Sequence, residues 1–256
     1  MTDLPVLAPA QAVTFVGAGP GAAAHLTLGA YQALLQADVV IHDRLVGAEI
    51  LALIPAATTR IDMGKEGFGP SAAQSDINAT LVAQALTGAR VVRLKGGDCG
   101  IFGRLDEEIE ALEVHGLSFR ILPGLTSATV AAATIGQSLT RRGRNASLRI
   151  VTGHDMDGFA EQDWRAMARS GEVTAIYMGK ASARFIQGRL MMHGAAADTV
   201  VTLVENVSRP DQRILPATLA TMSEAAARLE GPAVILYGLA PRQATQAIPQ
   251  LKEASA

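Results

Sequence analysis

Short apolar runs alternate with helix-length amphipathic segments through the first half of this chain, and few architectures accept that order. Residues 12–16, 38–42, 60–63, 91–94 and 118–122 read as strands, rich in Val and Ile and bounded by Gly, Pro or Asp. Between them, 28–37 reads as a helix with Leu34 and Leu35 on its apolar face, and 47–53 as a short one stopped by Pro55. Ser71-Ala72-Ala73-Gln74 has the form of a capping box ahead of Ile77, Leu81, Val82, Ala85 and Leu86, and Gly88 closes that helix. A further helix follows over 106–115. Strand and helix repeated about five times predict a parallel sheet covered on both faces. The composition agrees: 49% of residues are hydrophobic and 4% aromatic, so Ala, Val, Ile and Leu must build the core.

The strand at 91–94 leads into Gly96-Gly97-Asp98. Two glycines admit positive φ and bring backbone close to whatever lies beside it. The carboxylate that follows suits an amine or a pair of sugar hydroxyls and repels a phosphate. The carboxyl edge of a parallel sheet is where open α/β folds hold small ligands. The plainer alternative makes Asp98 the cap of the next helix. Asp43-Arg44 and Lys65 fall at the ends of neighbouring strands and become candidates for the same rim.

Other classes of function are disfavoured. A net charge of −2 gives no sign of a nucleic-acid partner. No apolar run reaches the ~18 residues that span a bilayer. MTDLPVLAPAQA lacks a basic and then apolar leader, so a soluble cytoplasmic protein is expected. Cys99 is the single cysteine, and the five histidines are scattered, so no metal site is expected.

Gly17-Ala18-Gly19-Pro20-Gly21-Ala22 matches the G-x-G-x-x-G/A dinucleotide fingerprint, but Pro20 has no N–H and the helical pattern starts only near Leu26-Thr27. In the second half, Leu139-Thr140-Arg141-Arg142-Gly143-Arg144 is either a solvated basic loop or a clamp for carboxylates. Strands are expected at 147–152, 173–178, 199–204, 212–215 and 232–237, with helices near 162–169, 180–193 and 221–229. The small residues of 127–135 predict a helix packed closely on sheet or partner. No strict internal repeat is visible, although both halves show a comparable order of elements.

Several separated motifs fall in one order: VGAGPG at 16–21, ADVVIHDRLV at 37–46, GK at 64–65, VVRLKGGD…FGR at 91–104, PGLTSA at 123–128, LTRRG at 139–143, VTGH at 151–154, IYMG at 176–179 and VENVSRPDQR at 204–213. Together they resemble the uroporphyrinogen-III C-methyltransferases, within the tetrapyrrole methylases, over roughly residues 12–240. The resemblance implies a class III methyltransferase-like fold of two α/β domains, 12–127 and 128–240, with tails at 1–11 and 241–256 and an active-site cleft between the domains. It implies a homodimer, S-adenosylmethionine as methyl donor with S-adenosylhomocysteine as product, and uroporphyrinogen III as acceptor. The product would be precorrin-2, formed through precorrin-1 by methylation at C2 and C7. Carried over by motif, Pro20, Gly96, Gly97, Asp98, Ile101, Thr126, Ser127, Met178 and Val207 would hold the donor. Asp43, Lys65, Arg104, Glu107 and Arg142 would face the tetrapyrrole or move its protons.

The chain departs from the family pattern at Cys99-Gly100, where Pro-Phe is usual, and at Leu105-Asp106, where Gly-Gly is usual. Ala22 stands in place of Asp and Arg141 in place of His. Methyl transfer to an electron-rich pyrrole carbon asks for alignment and for removal of a proton, which Asp43 could assist. Arg104 suits carboxylate binding, since guanidinium remains protonated above pH ~12. The alternatives are a methylase acting on a later corrinoid, an NAD-dependent dehydrogenase resting on 17–22, and a tetrapyrrole carrier without activity.

Overall fold

The first apolar run folds as β1 (Val13–Gly17), buried along its whole length. In this computed structural model residues 11–64, 73–155 and 158–242 are described, and the chain divides into two units between Thr126 and Ser127. After β1 come α1 (Leu28–Gln36), β2 (Val39–His42), α2 (Ala48–Leu51), β3 (Thr59–Asp62), α3 (Gln74–Leu86), β4 (Val91–Lys95), α4 (Leu105–Val114) and β5 (Phe119–Leu122). The five strands lie in the order β3-β2-β4-β1-β5, and every neighbouring pair is parallel.

Side-chain alternation along each strand divides the core in two. Val13, Phe15, Ile41 and Val91 pack against Leu81 and Val82 of α3 and Leu112 of α4. Val16, Val40, Val92 and Leu94 face Ala30 and Leu34 of α1 and Ile50 of α2. Both faces are covered, as the alternating order predicts.

Two local expectations fail. Helix α3 begins at Gln74 behind Ala73, which supplies no side-chain cap, so the expected capping box is not formed. Gln74 is the first helical residue and donates to Asn78 Oδ1 instead; Ser71 lies outside the described residues. Leu35 is also 48% exposed, because α1 is seated through Ala30, Ala33 and Leu34, a narrower stripe than expected. The helix does start where its pattern suggested, with Thr27 Oγ1 accepting from the Ala30 N–H.

The second unit contains α5 (Ser127–Thr134), β6 (Arg149–Thr152), the small pair β7 (His154–Asp155) and β8 (Gly158–Phe159), α6 (Trp164–Met167), β9 (Thr174–Tyr177), α7 (Ala183–Met192), β10 (Val200–Glu205), β11 (Arg213–Thr218), α8 (Met222–Ala227) and β12 (Ala233–Tyr237). Its main sheet runs β11-β10-β12-β9-β6 and is mixed, with β6 and β9 parallel and the other pairs antiparallel. The comparable order of elements therefore does not give a comparable sheet. The link from β10 to β11 is a short loop, and a parallel crossover needs about a dozen residues or more. The β7–β8 pair was not expected from sequence, and α6 is shorter than the 162–169 foreseen. Helix α5 is buried on this unit's own sheet, with Ala128, Ala131 and Ala132 against Ala175, Val204 and Leu236. Its small residues serve close packing on the sheet.

Candidate functional site

Because the five strands of the first unit are parallel, their carboxyl ends form one edge. The turn after β4 sits at its centre. Gly97 has φ +71°, a conformation that disfavours any side chain. It forms a two-bond bridge with Gly19, whose N–H donates to the Gly97 carbonyl at 2.9 Å while the Gly97 N–H donates back at 2.8 Å. A Cβ on Gly17 would stand 2.4 Å from the Gly124 nitrogen, and one on Gly124 would stand 2.3 Å from the Gly97 oxygen. Three glycine turns are thus pressed together. Gly96 is required for a different reason: its Cβ would lie 2.7 Å from that of Leu45, so the turn after β2 packs directly against its α-carbon while its backbone stays at the rim.

Asp98 caps no helix, since α4 starts only at Leu105. Its Oδ1 accepts from the Gly100 N–H at 2.8 Å and its Oδ2 from the Gly124 N–H at 2.9 Å. The carboxylate fastens the turn after β4 to the turn after β5, which runs on to Thr126 and Ser127, and each oxygen keeps acceptor capacity for a ligand. The same geometry disposes of the dinucleotide reading. The 17–22 turn pairs with Gly97 and leads to a short 3-10 turn at Ala23–His25, so no helix begins where a pyrophosphate would sit.

Beyond Asp98 the loop is folded tightly on itself. Cys99 is buried among the apolar side chains between the sheet and α3 and α4, and its thiol is pushed up by that burial and by Asp98. The Cys99 departure from the family pattern is therefore absorbed by the core. Arg104 (φ +53°) precedes α4, and its guanidinium binds Glu107 through both carboxylate oxygens, at 2.7 and 2.6 Å. Both side chains are about half exposed. They line a cavity of about 380 Å³ bounded by residues 100 and 102–107. The hydrogen bond to Glu107 holds the Arg104 pKa above its ordinary value, and the same bond holds the Glu107 carboxyl below its own. Arg104 is thereby a fixed cation and a poor base.

Under this loop lies a group of charges that sequence reasoning missed. Arg93 and Lys95 share the α4-facing side of β4 with Val91, and both are buried, as is Glu108 of α4. Arg93 donates to both Glu108 oxygens, from Nε at 3.0 Å and from Nη2 at 3.1 Å, and Lys95 Nζ donates to Glu108 Oε1 at 2.5 Å. Arg93 Nη2 also lies 3.8 Å from Asp43 Oδ2, and Asp43 Oδ1 accepts from the Leu45 N–H at 2.9 Å. Burial and the neighbouring Arg93 charge lower the Lys95 pKa. The clue was available: in a strand covered on both faces, Arg93 and Lys95 had nowhere to point except into the core.

In the second unit β6, β9 and β10 run in one direction, so their carboxyl ends share an edge. Met178 follows β9 there, half exposed, and Val207 follows β10, buried. Tyr177 Oη accepts from the Ala128 N–H at 2.9 Å, which brings Ser127 at the start of α5 toward Met178. Of the arginine-rich loop, Arg144 is committed to Ser138 and Asn145, while Arg142 is exposed at the tip of a turn closed by the Arg141–Asn145 bridge. Lys65 lies outside the described residues.

Strain follows the same residues. Among the described residues, the non-glycine positions with left-handed backbone are Phe102, Arg104, Met178, Asn206 and Ser208, at φ between +49° and +58°. All lie in the three loops that carry Asp98–Arg104, Met178 and Val207. Such strain persists where the surroundings enforce it and gathers at ligand sites.

A family model described as Tetrapyrrole (Corrin/Porphyrin) Methylases matches residues 12–223. The chain belongs to the tetrapyrrole methylases. It is accordingly a methyltransferase by family, as the ordered motifs led one to expect. A siroheme synthase of Edwardsiella ictaluri is 45% identical over 227 residues, which make up 88% of this chain and 49% of that protein. The chain spans about half the length of the curated relatives it matches. Among solved structures, a uroporphyrin-III C-methyltransferase of Thermus thermophilus, complexed with S-adenyl homocysteine, is 34% identical with a TM-score of 0.76. That match covers 88% of this chain and 91% of the other. A cobalt precorrin-4 methyltransferase shares the fold at 23% identity and a TM-score of 0.78, over 88% of this chain and 94% of that one. Among the described residues no cluster of His, Cys, Asp and Glu is placed to hold a metal, and no helix is long and apolar enough to cross a membrane.

Proposed function

We propose that this chain transfers methyl groups from S-adenosylmethionine to ring carbons of uroporphyrinogen III, twice in succession, giving precorrin-2 through a monomethylated intermediate. The homodimer implied by the family resemblance and the cytoplasmic location expected from the sequence belong to the same proposal. The observation that carries it is the coincidence of strain and motif: every left-handed non-glycine residue described lies in a loop that the resemblance assigns to the donor site. The related methyltransferase of Thermus thermophilus, solved with the homocysteine product, supports the choice of donor.

Gly96, Gly97, Asp98, Ile101, Thr126 and Ser127, with Pro20, Met178 and Val207, would hold the donor. Asp98 fits that role chemically, as an anchored carboxylate with acceptor capacity left for an amine or hydroxyls. When bound, the donor supplies an electrophilic sulfonium methyl group. The protein then has to align a carbon nucleophile, and good alignment is worth up to ~7–11 kcal/mol of barrier. Asp43, fixed by the Leu45 N–H, would receive or steer the proton that leaves the methylated carbon. Arg104, Arg142 and Lys65 would bind acceptor carboxylates, with Glu107 holding the Arg104 fork in place. Purified protein incubated anaerobically with S-adenosylmethionine and uroporphyrinogen III should give mono- and then dimethylated product by mass spectrometry. Absence of methylated tetrapyrrole would refute the reading, and turnover of a corrinoid in its place would move the activity to a later step.

A further inference from the structure

Burying charge is costly, and an apolar trio of similar volume is often as stable as a buried ion group or more so. Arg93, Lys95 and Glu108 are all buried, and as a set they carry one positive charge too many. The nearest balancing anion is Asp43. Register explains how it arrives there. Ile41 of β2 is the partner of Arg93 on β4, so Ile41 and Arg93 stand on one face, and Asp43, two residues on, continues that face past the strand end. Asp43 is the member of the group open to solvent, with a side chain 30% exposed against 3% for Arg93. Its Oδ1 is held by the Leu45 N–H, and its Oδ2 is turned toward Arg93. Arg93 cannot follow Asp43 outward, because its fork is bound to Glu108 and its Nη1 donates to the Leu94 carbonyl at 3.2 Å.

The same cluster closes the base of the loop that bears Asp98 and Arg104. Lys95 stands immediately before Gly96, and Glu108 lies in the first turn of α4 just after Arg104. A Cβ on Gly103 would meet Lys95 Cε at 3.2 Å, so the lysine stem runs directly beneath the loop.

We infer that Arg93 is a positioning residue for methyl transfer: anchored from below by Glu108, it presents a fixed cation that orients the Asp43 carboxylate and supports its negative charge at the rim. The inference rests on the methyl-transfer reading and on Asp43 acting there. Lys95 is not interchangeable with Arg93, since its ammonium is held on Glu108 Oε1 and has no planar fork to reach Glu108 and Asp43 together.

A double-mutant cycle tests the coupling. Wild type, Asp43→Asn, Arg93→Met and the double variant are assayed for kcat and KM on uroporphyrinogen III, together with S-adenosylhomocysteine affinity and thermal unfolding. Arg93→Met should fold, because Glu108 keeps Lys95 as a balancing partner. It should lower kcat about tenfold while changing KM and homocysteine-analogue affinity less than about threefold. In the Asp43→Asn background the same change should cost less than about twofold, because the two residues act as one unit. Arg93→Lys, which keeps the charge and loses the fork, should recover part of the rate, and it replaces Arg93→Met in the cycle if that variant does not fold. An equal loss with and without the Asp43 carboxylate would overturn the inference, leaving Arg93 a structural residue. Full activity in Asp43→Asn would overturn it too, while methyl transfer itself stood. An inactive wild type would bring down the functional reading, and the inference with it.

Discussion

Met178 and Arg142 test the proposed site from opposite directions, because neither is needed for the core. Met178 is half exposed and adopts φ +51°. A left-handed conformation costs an L-residue about 1–2 kcal/mol, more than the roughly 0.5–1 kcal/mol by which glycine loosens the unfolded chain. Met178→Gly should therefore leave thermal stability unchanged or raise it by up to about 1 kcal/mol. If the side chain covers the donor, S-adenosylhomocysteine affinity should fall about tenfold or more in calorimetry. A gain in stability with unaltered affinity would remove Met178 from the site. Arg142, exposed at its turn, should be removable to Ala within about 0.5 kcal/mol of wild-type stability. The acceptor KM should rise with donor binding intact, and Arg142→Lys should restore it only in part, for want of the bidentate fork. Normal KM in Arg142→Ala would make this loop a solvated one. Gly97 is unsuited to such tests, because any side chain at φ +71° strains the turn before it meets a ligand.

At the scale of elements, the end of β10 shows how a loop is held in a strained form. Glu205, buried, accepts from the N–H groups of Glu230 and Gly231 at 2.5 Å each, and from Arg213 at 3.1 Å. Burial alone would push its carboxyl up, but the Gly231 and Glu230 N–H groups, with Arg213 and Lys180, outweigh it and hold it below the usual range. A carboxyl lowered in the folded state stabilises fully above its unfolded value, near pH ~4.3, and loses that contribution as pH falls through the folded value. Glu205→Gln should cost about 2 kcal/mol at neutral pH and flatten the acid side of the stability profile below pH ~4.3. An unchanged urea midpoint at both pH 7 and pH ~4 would dismiss this account of the turn.

Much of this scale was legible in sequence. The β-α alternation gave the first sheet its parallel order, and Thr27 marked the start of α1. What sequence did not reveal has physical causes. Ala73 rather than Ser71 precedes α3, and nothing in the S-x-x-Q spacing distinguishes a capping box from the same four residues ahead of a helix that begins at Gln74. The mixed sheet of the second unit depends on the short link between β10 and β11, which periodicity does not weigh. The glycine turn after β4 was legible from its residues, but the Arg93–Glu108–Lys95 cluster beneath it requires knowing that β4 is covered on both faces. Glu205 was hidden likewise, as a polar residue ending an apolar run.

The whole chain carries one Gly-Gly-Asp turn and one arginine-rich loop, and its two units are built on different sheets, one parallel and one mixed. Duplication of a site within such a chain has no structural basis, so the two methylations proposed would use one donor site in turn. On that reading uroporphyrinogen III would offer chemically similar pyrroles, and after release or rotation a second ring would meet the same proposed carboxylate and donor loop. The spent donor differs only by the methyl group and the sulfonium charge, so it should compete for the site between rounds. Calorimetry with S-adenosylhomocysteine should accordingly find one molecule per chain. Under limiting S-adenosylmethionine a monomethylated tetrapyrrole should accumulate, and added donor should convert it to the dimethylated product. Asp43→Asn should slow both rounds by a common factor, since on this reading one carboxylate would serve each. Two donor molecules bound per chain, or a variant that loses one methylation and keeps the other at full rate, would require a second site and defeat the single-site mechanism.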